Sequence, residues 1–172
     1  MGPVFSYWLY LTGGGPMPRW LILSGSHAAA LVVGFMLGIY LLPILTAPEG
    51  PGEDVLAQSA EDALFKATLT RDLKGSDFLH WGDGTISVTS TQVVHEGALA
   101  PGPDYKLYLA QEFVEDEEGF FRIKADARQI GDIKTFDGFI VDVPEGVDVE
   151  DYTTVIVWCE SFSEFITAAR YQ

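Results

Sequence analysis

Acidic side chains are missing from the first 48 residues, where the only Lys or Arg is Arg19. All 25 Asp and Glu follow, from Glu49 onward, together with nine basic residues, so this later part has a formal charge of −16. A field of that sign repels nucleic-acid phosphates and anionic head groups. We therefore expect no nucleic-acid partner, whereas a basic protein is a possible one.

Cysteine is almost absent, because the chain contains only Cys159. An intrachain disulfide and a site built from several cysteines are therefore excluded. In an oxidising compartment a single thiol must be buried, occupied or reactive.

Sequence signatures of common enzymes are missing as well. The chain has no G-x-S-x-G, P-loop or H-E-x-x-H motif, and its Ser, His and Asp residues stand at no informative spacing. The calcium-loop pattern is also absent. We assign no catalytic residue, and an enzyme ranks last among the functions considered.

A long uncharged run is present near the N-terminus. No charged residue occurs between Trp20 and Ala47 if His27 is neutral. At ~1.5 Å per residue, about 18–26 helical residues cross a hydrocarbon core of ~30 Å. We predict one transmembrane helix over residues 20–46, which binds the chain to the lipid bilayer.

The flanking charges predict how this helix is oriented. Arg19 lies on its N-terminal side and acidic residues follow from Glu49, so the N-terminus should be cytoplasmic and the acidic domain extracytoplasmic, or periplasmic in a bacterium. A cleaved signal peptide is the alternative, but the run is long for one, and Leu45 is too large for a cleavage site ending at Ala47. Residues 1–19 would form a cytoplasmic or interfacial tail.

Residues 47–63 are predicted to form a linker and one short helix, over 54–64. From Leu64 the pattern changes to short strands and turns, which predicts a domain over residues 64–172. The almost wholly β-branched and aromatic run at 153–159 is typical of a strand buried on both faces. Other strands are predicted at 64–70, 85–88, 105–110, 136–143 and 164–171, a short helix or turn at 120–129, and turns at 81–84, 101–103 and 144–146.

These elements predict a mainly β fold. We expect a small β-sandwich or barrel-like domain with short helices, preceded by one transmembrane helix. About 110 residues are enough to form one core of this kind.

Four segments of this domain resemble a known family: residues 80–84 (HWGDG), 102–109 (GPDYKLYL), 142–144 (DVP) and 152–162 (YTTVIVWCESF). Together they resemble the DM-thirteen domain family, a small extracytoplasmic β domain often found beside DOMON domains, over roughly residues 64–171. The resemblance implies electron transfer with Cys159 as the redox group. Its supporting motif residues in this chain are Trp158, Trp81, His80, Gly102, Pro103 and Asp104. No DOMON or cytochrome domain accompanies them, so we expect the electron partner to be another protein.

Cys159 has a second interpretation, as a buried structural thiol, because it ends an apolar strand and Glu160 beside it would raise the thiol pKa. The domain would then be a non-catalytic binding or assembly module whose acidic face docks a basic partner. His80 and His95, with Cys159, are weak candidates for a copper, zinc or haem site, because their spacing matches no metal motif.

Overall fold

The computed structural model describes residues 18–172. Helix α1 (Arg19–Thr46) contains 28 residues, which corresponds to about 42 Å of helix. Its most apolar 18-residue window has a mean hydropathy of 2.4, so the helix is long and apolar enough to cross a membrane, as a signal sequence would also be. The predicted span at 20–46 thus coincides with a helix, and residues 1–17 of the predicted tail lie outside the described part of the chain.

The C-terminal domain is built from two antiparallel four-stranded sheets, in the orders β1-β2-β3-β6 and β5-β4-β7-β8. This confirms the predicted mainly β fold with short helices. The elements are helix α2 (Glu53–Ser59), strands β1 (Phe65–Leu69), β2 (Gly82–Val88), β3 (Gln92–Leu99) and β4 (Tyr105–Ala110), helix α3 (Glu117–Ile123), strands β5 (Arg128–Ile133) and β6 (Phe139–Asp142), a short 3₁₀ turn (Val149–Asp151), and strands β7 (Thr154–Cys159) and β8 (Glu164–Arg170).

The two sheets pack face to face around one apolar core. Gly82 of the first sheet lies so close to Thr167 of the second that an added Cβ would come within 2.4 Å of the threonine methyl carbon. At one side, a Cβ added to Gly131 of β5 would lie 2.6 Å from Cγ1 of Val141 in β6. The inward-facing residues are almost all aliphatic or aromatic, as burial of a sandwich core requires.

Short helices cover the outer faces of both sheets. Leu56 and Ala60, in and just after α2, pack on Val94 of β3. Phe120 of α3 packs on Ile156 and other outward side chains of the second sheet. Several strands are therefore buried on both faces, and β7 is buried at every position, as predicted for residues 153–159.

Two strands were not predicted from the sequence. β3 lacks apolar–polar alternation because α2 covers its outer face, so Val93 and Val94 are both buried. β5 contains charged residues and Gly131, and the sequence prediction had assigned its first residues to a helix or turn at 120–129. The helix of that region instead begins at Glu117 and ends at Ile123, and α2 ends at Ser59, earlier than predicted.

The turn predicted at residues 81–84 is wrong. Gly82, Asp83 and Gly84 belong to β2, and Gly84 pairs with Gly97 of β3. Both glycines have positive φ, +120° and +159°, and their backbones approach closely. Two glycines in register therefore permit a close strand contact where the sequence suggested a chain reversal.

Candidate functional site

Cys159 is the last residue of β7, paired with Tyr105 of β4 and Glu164 of β8. Its side chain belongs to the core between the sheets, next in line after Val155 and Val157, and the residue is 3% exposed. The turn at residues 160–163 follows directly, so the thiol lies at one end of the sandwich.

The groups around Cys159 shift the pKa of its thiol in opposite directions. Burial raises the pKa of Cys159, and the nearby carboxylate of Asp104 adds to this shift. Backbone N–H groups of Phe162, Asp104 and Ser161 oppose it by stabilising the thiolate. The net pKa is raised, so the group is a thiol at neutral pH.

The sequence had placed the Glu160 carboxylate beside this thiol, and the structure places it elsewhere. Glu160 bonds Lys124 and Tyr108 instead. The acidic group that acts on Cys159 is Asp104.

The loop carrying Gly102, Pro103 and Asp104 is fastened to the β7–β8 turn. Ser161 Oγ donates to Asp104 Oδ2 at 2.9 Å, and the backbone N–H of Glu160 donates to the Asp104 carbonyl at 3.0 Å. Gly102 has no room for a side chain, because an added Cβ would lie 2.4 Å from the Tyr105 ring. The structure therefore brings the Gly102–Asp104 motif and Cys159 together, and we call the Ser161–Asp104 contact the latch.

Trp158 lies on the opposite face of the sheet from Cys159. It is fully buried beneath α3, with its ring centroid 4.8 Å from that of Phe120 and 5.2 Å from that of Phe121. Helix α3 forms here because Asp116 caps it, accepting the Gly119 N–H at 2.8 Å. Adjacent positions in a strand point to opposite faces, so Trp158 packs the outer layer while Cys159 packs the inner one.

His80 and Trp81 lie at the entrance to β2, in the other sheet. His80 Nδ1 pairs with Asp77 at 3.1 Å. The Trp81 ring is covered by the Arg71 guanidinium, whose carbon is 3.5 Å from the ring centroid. Both residues therefore make local contacts that stabilise the loop before β2.

His95 is fully buried on β3. Its Nε2 atom is 2.9 Å from the Asp83 carbonyl oxygen, and its Nδ1 atom has no hydrogen-bond partner among residues 18–172. Burial lowers the pKa of His95. Within the described chain no three His, Cys, Asp or Glu residues come together as metal ligands. Haem or copper binding at His80, His95 or Cys159 stays a prediction.

A polar group near Trp158 was not anticipated from the sequence. The Tyr108 hydroxyl donates to Glu160 Oε1, and Lys124 Nζ lies 2.7 Å from Glu160 Oε2. Helix α3 and three strands, β5, β6 and β7, lie between residues 108 and 160 in the chain, so no spacing in the sequence connects residues 108, 124 and 160.

The family model described as Electron transfer DM13 matches residues 73–171, which is more than half of the chain and includes Cys159. The chain belongs to the DM13 family. Searches of curated proteins and of solved structures found no match. The DM13 match confirms the resemblance seen in the sequence, and the family's description is consistent with a redox role. It begins after β1, so the predicted domain start at residue 64 is not tested by it.

Proposed function

We propose that this DM13 chain is a membrane-anchored electron-transfer module, with α1 in the bilayer, the β domain outside the cytoplasm and Cys159 as the redox group. The observation that carries the proposal is the electron-transfer family match, which includes the only thiol of the chain. The length and composition of α1, with acidic residues after it and Arg19 before it, support the anchor and its orientation.

A single thiol exchanges electrons in a balanced way with a disulfide. The Cys159 thiol loses its proton and attacks a disulfide of a partner protein. The partner's S–S bond breaks, a mixed disulfide forms to Cys159, and the leaving sulfur takes up a proton. The partner is thus a disulfide-bearing protein, and the acidic surface of the domain favours one that is basic.

Access to the thiol depends on a local opening, because Cys159 is 3% exposed. The latch between Ser161 and Asp104 joins the two segments that close this end of the sandwich. Breaking it removes one hydrogen bond to a charged group, which contributes about 1.5 kcal/mol.

We predict that Ser161→Ala speeds the reaction of Cys159 with an aromatic disulfide reagent by about tenfold, since each 1.4 kcal/mol corresponds to a factor of ten. The rate is measured on the full chain in detergent under native conditions. Ser90→Ala, an exposed change in the β2–β3 turn, is the matched control and should react at the wild-type rate.

The same assay tests the role of Cys159 itself. The wild-type chain should form one mixed disulfide per chain without denaturant, and a folded Cys159→Ser chain should form none. If the wild-type thiol reacts only in denaturant, and Ser161→Ala does not change this, the redox role is refuted.

The burial of Cys159 favours a second candidate, a non-catalytic binding or assembly module with a structural thiol. In that case the acidic domain docks a basic partner or an extracellular polymer, and association weakens as salt is added. Haem or copper remains a further prediction, which a visible absorption spectrum and metal analysis of the full chain would test. The absence of a nucleic-acid partner stays an expectation from charge.

A further inference from the structure

The three buried tyrosines of the domain differ in what their hydroxyl groups bond. Tyr105 and Tyr171 each donate to a backbone carbonyl at 2.8 Å. Tyr108, 5% exposed, has two side-chain acceptors near its hydroxyl, Gln129 Oε1 at 3.2 Å and the carboxylate of Glu160, and it donates to the closer one, Glu160. A carboxylate can accept a proton from a phenol that is being oxidised, whereas a backbone carbonyl is not a base at neutral pH.

Lys124 holds Glu160 in the ionised form. The Lys124 Nζ atom lies 2.7 Å from Glu160 Oε2, and both side chains are less than one-third exposed. Although burial raises the pKa of Glu160, the bonds from Lys124 and Tyr108 outweigh it, and the net pKa is lowered. Glu160 is therefore a carboxylate at neutral pH with an oxygen directed at the phenol.

The surroundings of the Tyr108 ring disfavour a cation. Lys124 Nζ is 5.9 Å from its centroid, and the Phe120 ring packs edge-on at 5.1 Å. A tyrosine that lost an electron but kept its proton would be a positively charged, strongly acidic phenol whose O–H already points at the Glu160 carboxylate. Loss of the proton together with the electron avoids that charge.

The rings around Tyr108 continue toward the surface. Phe120 contacts Trp158 at 4.8 Å between centroids, and Trp158 contacts Phe121 at 5.2 Å. Phe121 is 56% exposed. Short steps between neighbouring aromatic rings thus lead from a buried phenol to solvent.

We infer that Tyr108 is a second redox-active group of this domain, oxidised in a one-electron step in which Glu160 accepts the proton. The phenol O–H bond breaks, the electron goes to an oxidised metal centre of high potential in a partner protein, and the proton goes to Glu160 Oε1. A neutral phenoxyl radical remains, and it recovers the same proton when an electron returns. This inference deepens the electron-transfer role proposed above and rests on it.

The test uses the full chain in detergent with Cys159→Ser, so that no thiol competes for oxidation. A photo-oxidised ruthenium polypyridyl complex serves as the oxidant, and radicals are followed by transient absorption and electron paramagnetic resonance. Tyr108→Phe should lower the yield of tyrosyl radical several-fold. Tyr171→Phe, the matched buried control, should leave the yield unchanged.

Glu160→Gln keeps the size of the side chain and a hydrogen-bond acceptor but removes the base. It should slow radical formation by about tenfold, which corresponds to a barrier about 1.4 kcal/mol higher. If this variant does not fold, Glu160→Asp provides the same readout, because it keeps the carboxylate but withdraws it from the phenol.

Equal radical yields in Tyr108→Phe and its parent would overturn the inference. So would an unchanged rate in a folded Glu160→Gln chain. Neither result affects disulfide exchange at Cys159, which is measured in the wild-type background, so the two proposals fail independently.

Discussion

Replacing Trp158 by alanine is expected to lower the free energy of unfolding by about 3–5 kcal/mol, the range found for buried Trp and Phe truncations. Trp158 is fully buried, and its ring contacts Phe120 and Phe121 on the outer face of the second sheet. Removing it leaves a cavity between the sheet and α3, which packs on it through Phe120 and Phe121. Denaturant unfolding of the full chain in detergent measures the change.

Two further variants separate the causes of that loss. Trp158→Phe keeps an aromatic ring, and the Trp158 Nε1 atom it removes has no hydrogen-bond partner among residues 18–172. Because the cavity it leaves is smaller, the loss should be clearly smaller than that of Trp158→Ala. Trp81→Ala, at a half-buried tryptophan covered by Arg71, should cost about 1 kcal/mol or less. Equal losses at Trp158 and Trp81 would contradict the packing described for α3.

The second large effect is expected at Gly84, where Gly84→Ala should destabilise the domain by about 2–4 kcal/mol. The φ angle of Gly84 is +120°, and an added Cβ would lie 2.2 Å from the carbonyl oxygen of Glu96. That oxygen belongs to the backbone of β3, so relief requires the two strands to separate. Denaturant unfolding again gives the change.

Gly146→Ala is the matched control for this prediction. Its φ is also positive, at +81°, but no atom lies within 4 Å of an added Cβ. It reports the backbone strain alone, about 1–2 kcal/mol. If Gly84→Ala costs no more than Gly146→Ala, the close approach of β2 and β3 is not what fixes glycine at this position.

The sequence was sufficient to predict most strands of the second sheet. β4 begins and ends at the predicted residues 105 and 110, and the doubly buried β7 follows from its β-branched and aromatic composition. β3 was missed because it does not alternate between apolar and polar residues. Its outer face is apolar where α2 packs on it, and that packing is a tertiary contact. The β2 segment at Gly82–Gly84 was mistaken for a turn because Gly-Asp-Gly is a common turn pattern, whereas here Gly84 pairs with Gly97 and allows β2 and β3 to approach closely.

The surroundings of Cys159 could be predicted only in part. Burial of the thiol follows from its place at the end of an apolar strand, and Asp104 belongs to a motif recognised in the sequence. Its approach to the thiol depends on the pairing of β4 with β7, which places Tyr105 opposite Cys159. The contact among Tyr108, Lys124 and Glu160 depends on α3 folding back over the sheet, which no local pattern encodes.

Adjacent side chains of β7 point to opposite faces of the sheet, so Trp158 and Cys159 lie in different surroundings. Cys159 faces the inner core and the latch, while Trp158 faces the aromatic layer that includes Phe120. Substitutions at one position should therefore leave the surroundings of the other largely intact. This separation allows Cys159→Ser to serve as the background in which Tyr108 is tested.

The central claim, an extracytoplasmic and reachable thiol on a membrane-anchored DM13 domain, is tested most directly by labelling Cys159 in intact cells or spheroplasts that express the full chain. A membrane-impermeant thiol reagent is applied under native conditions, and the labelled fraction is compared with that after lysis and after denaturation. We predict labelling from outside in intact cells, faster in Ser161→Ala. Labelling only after lysis would contradict the orientation, and labelling only after denaturation would contradict the redox role.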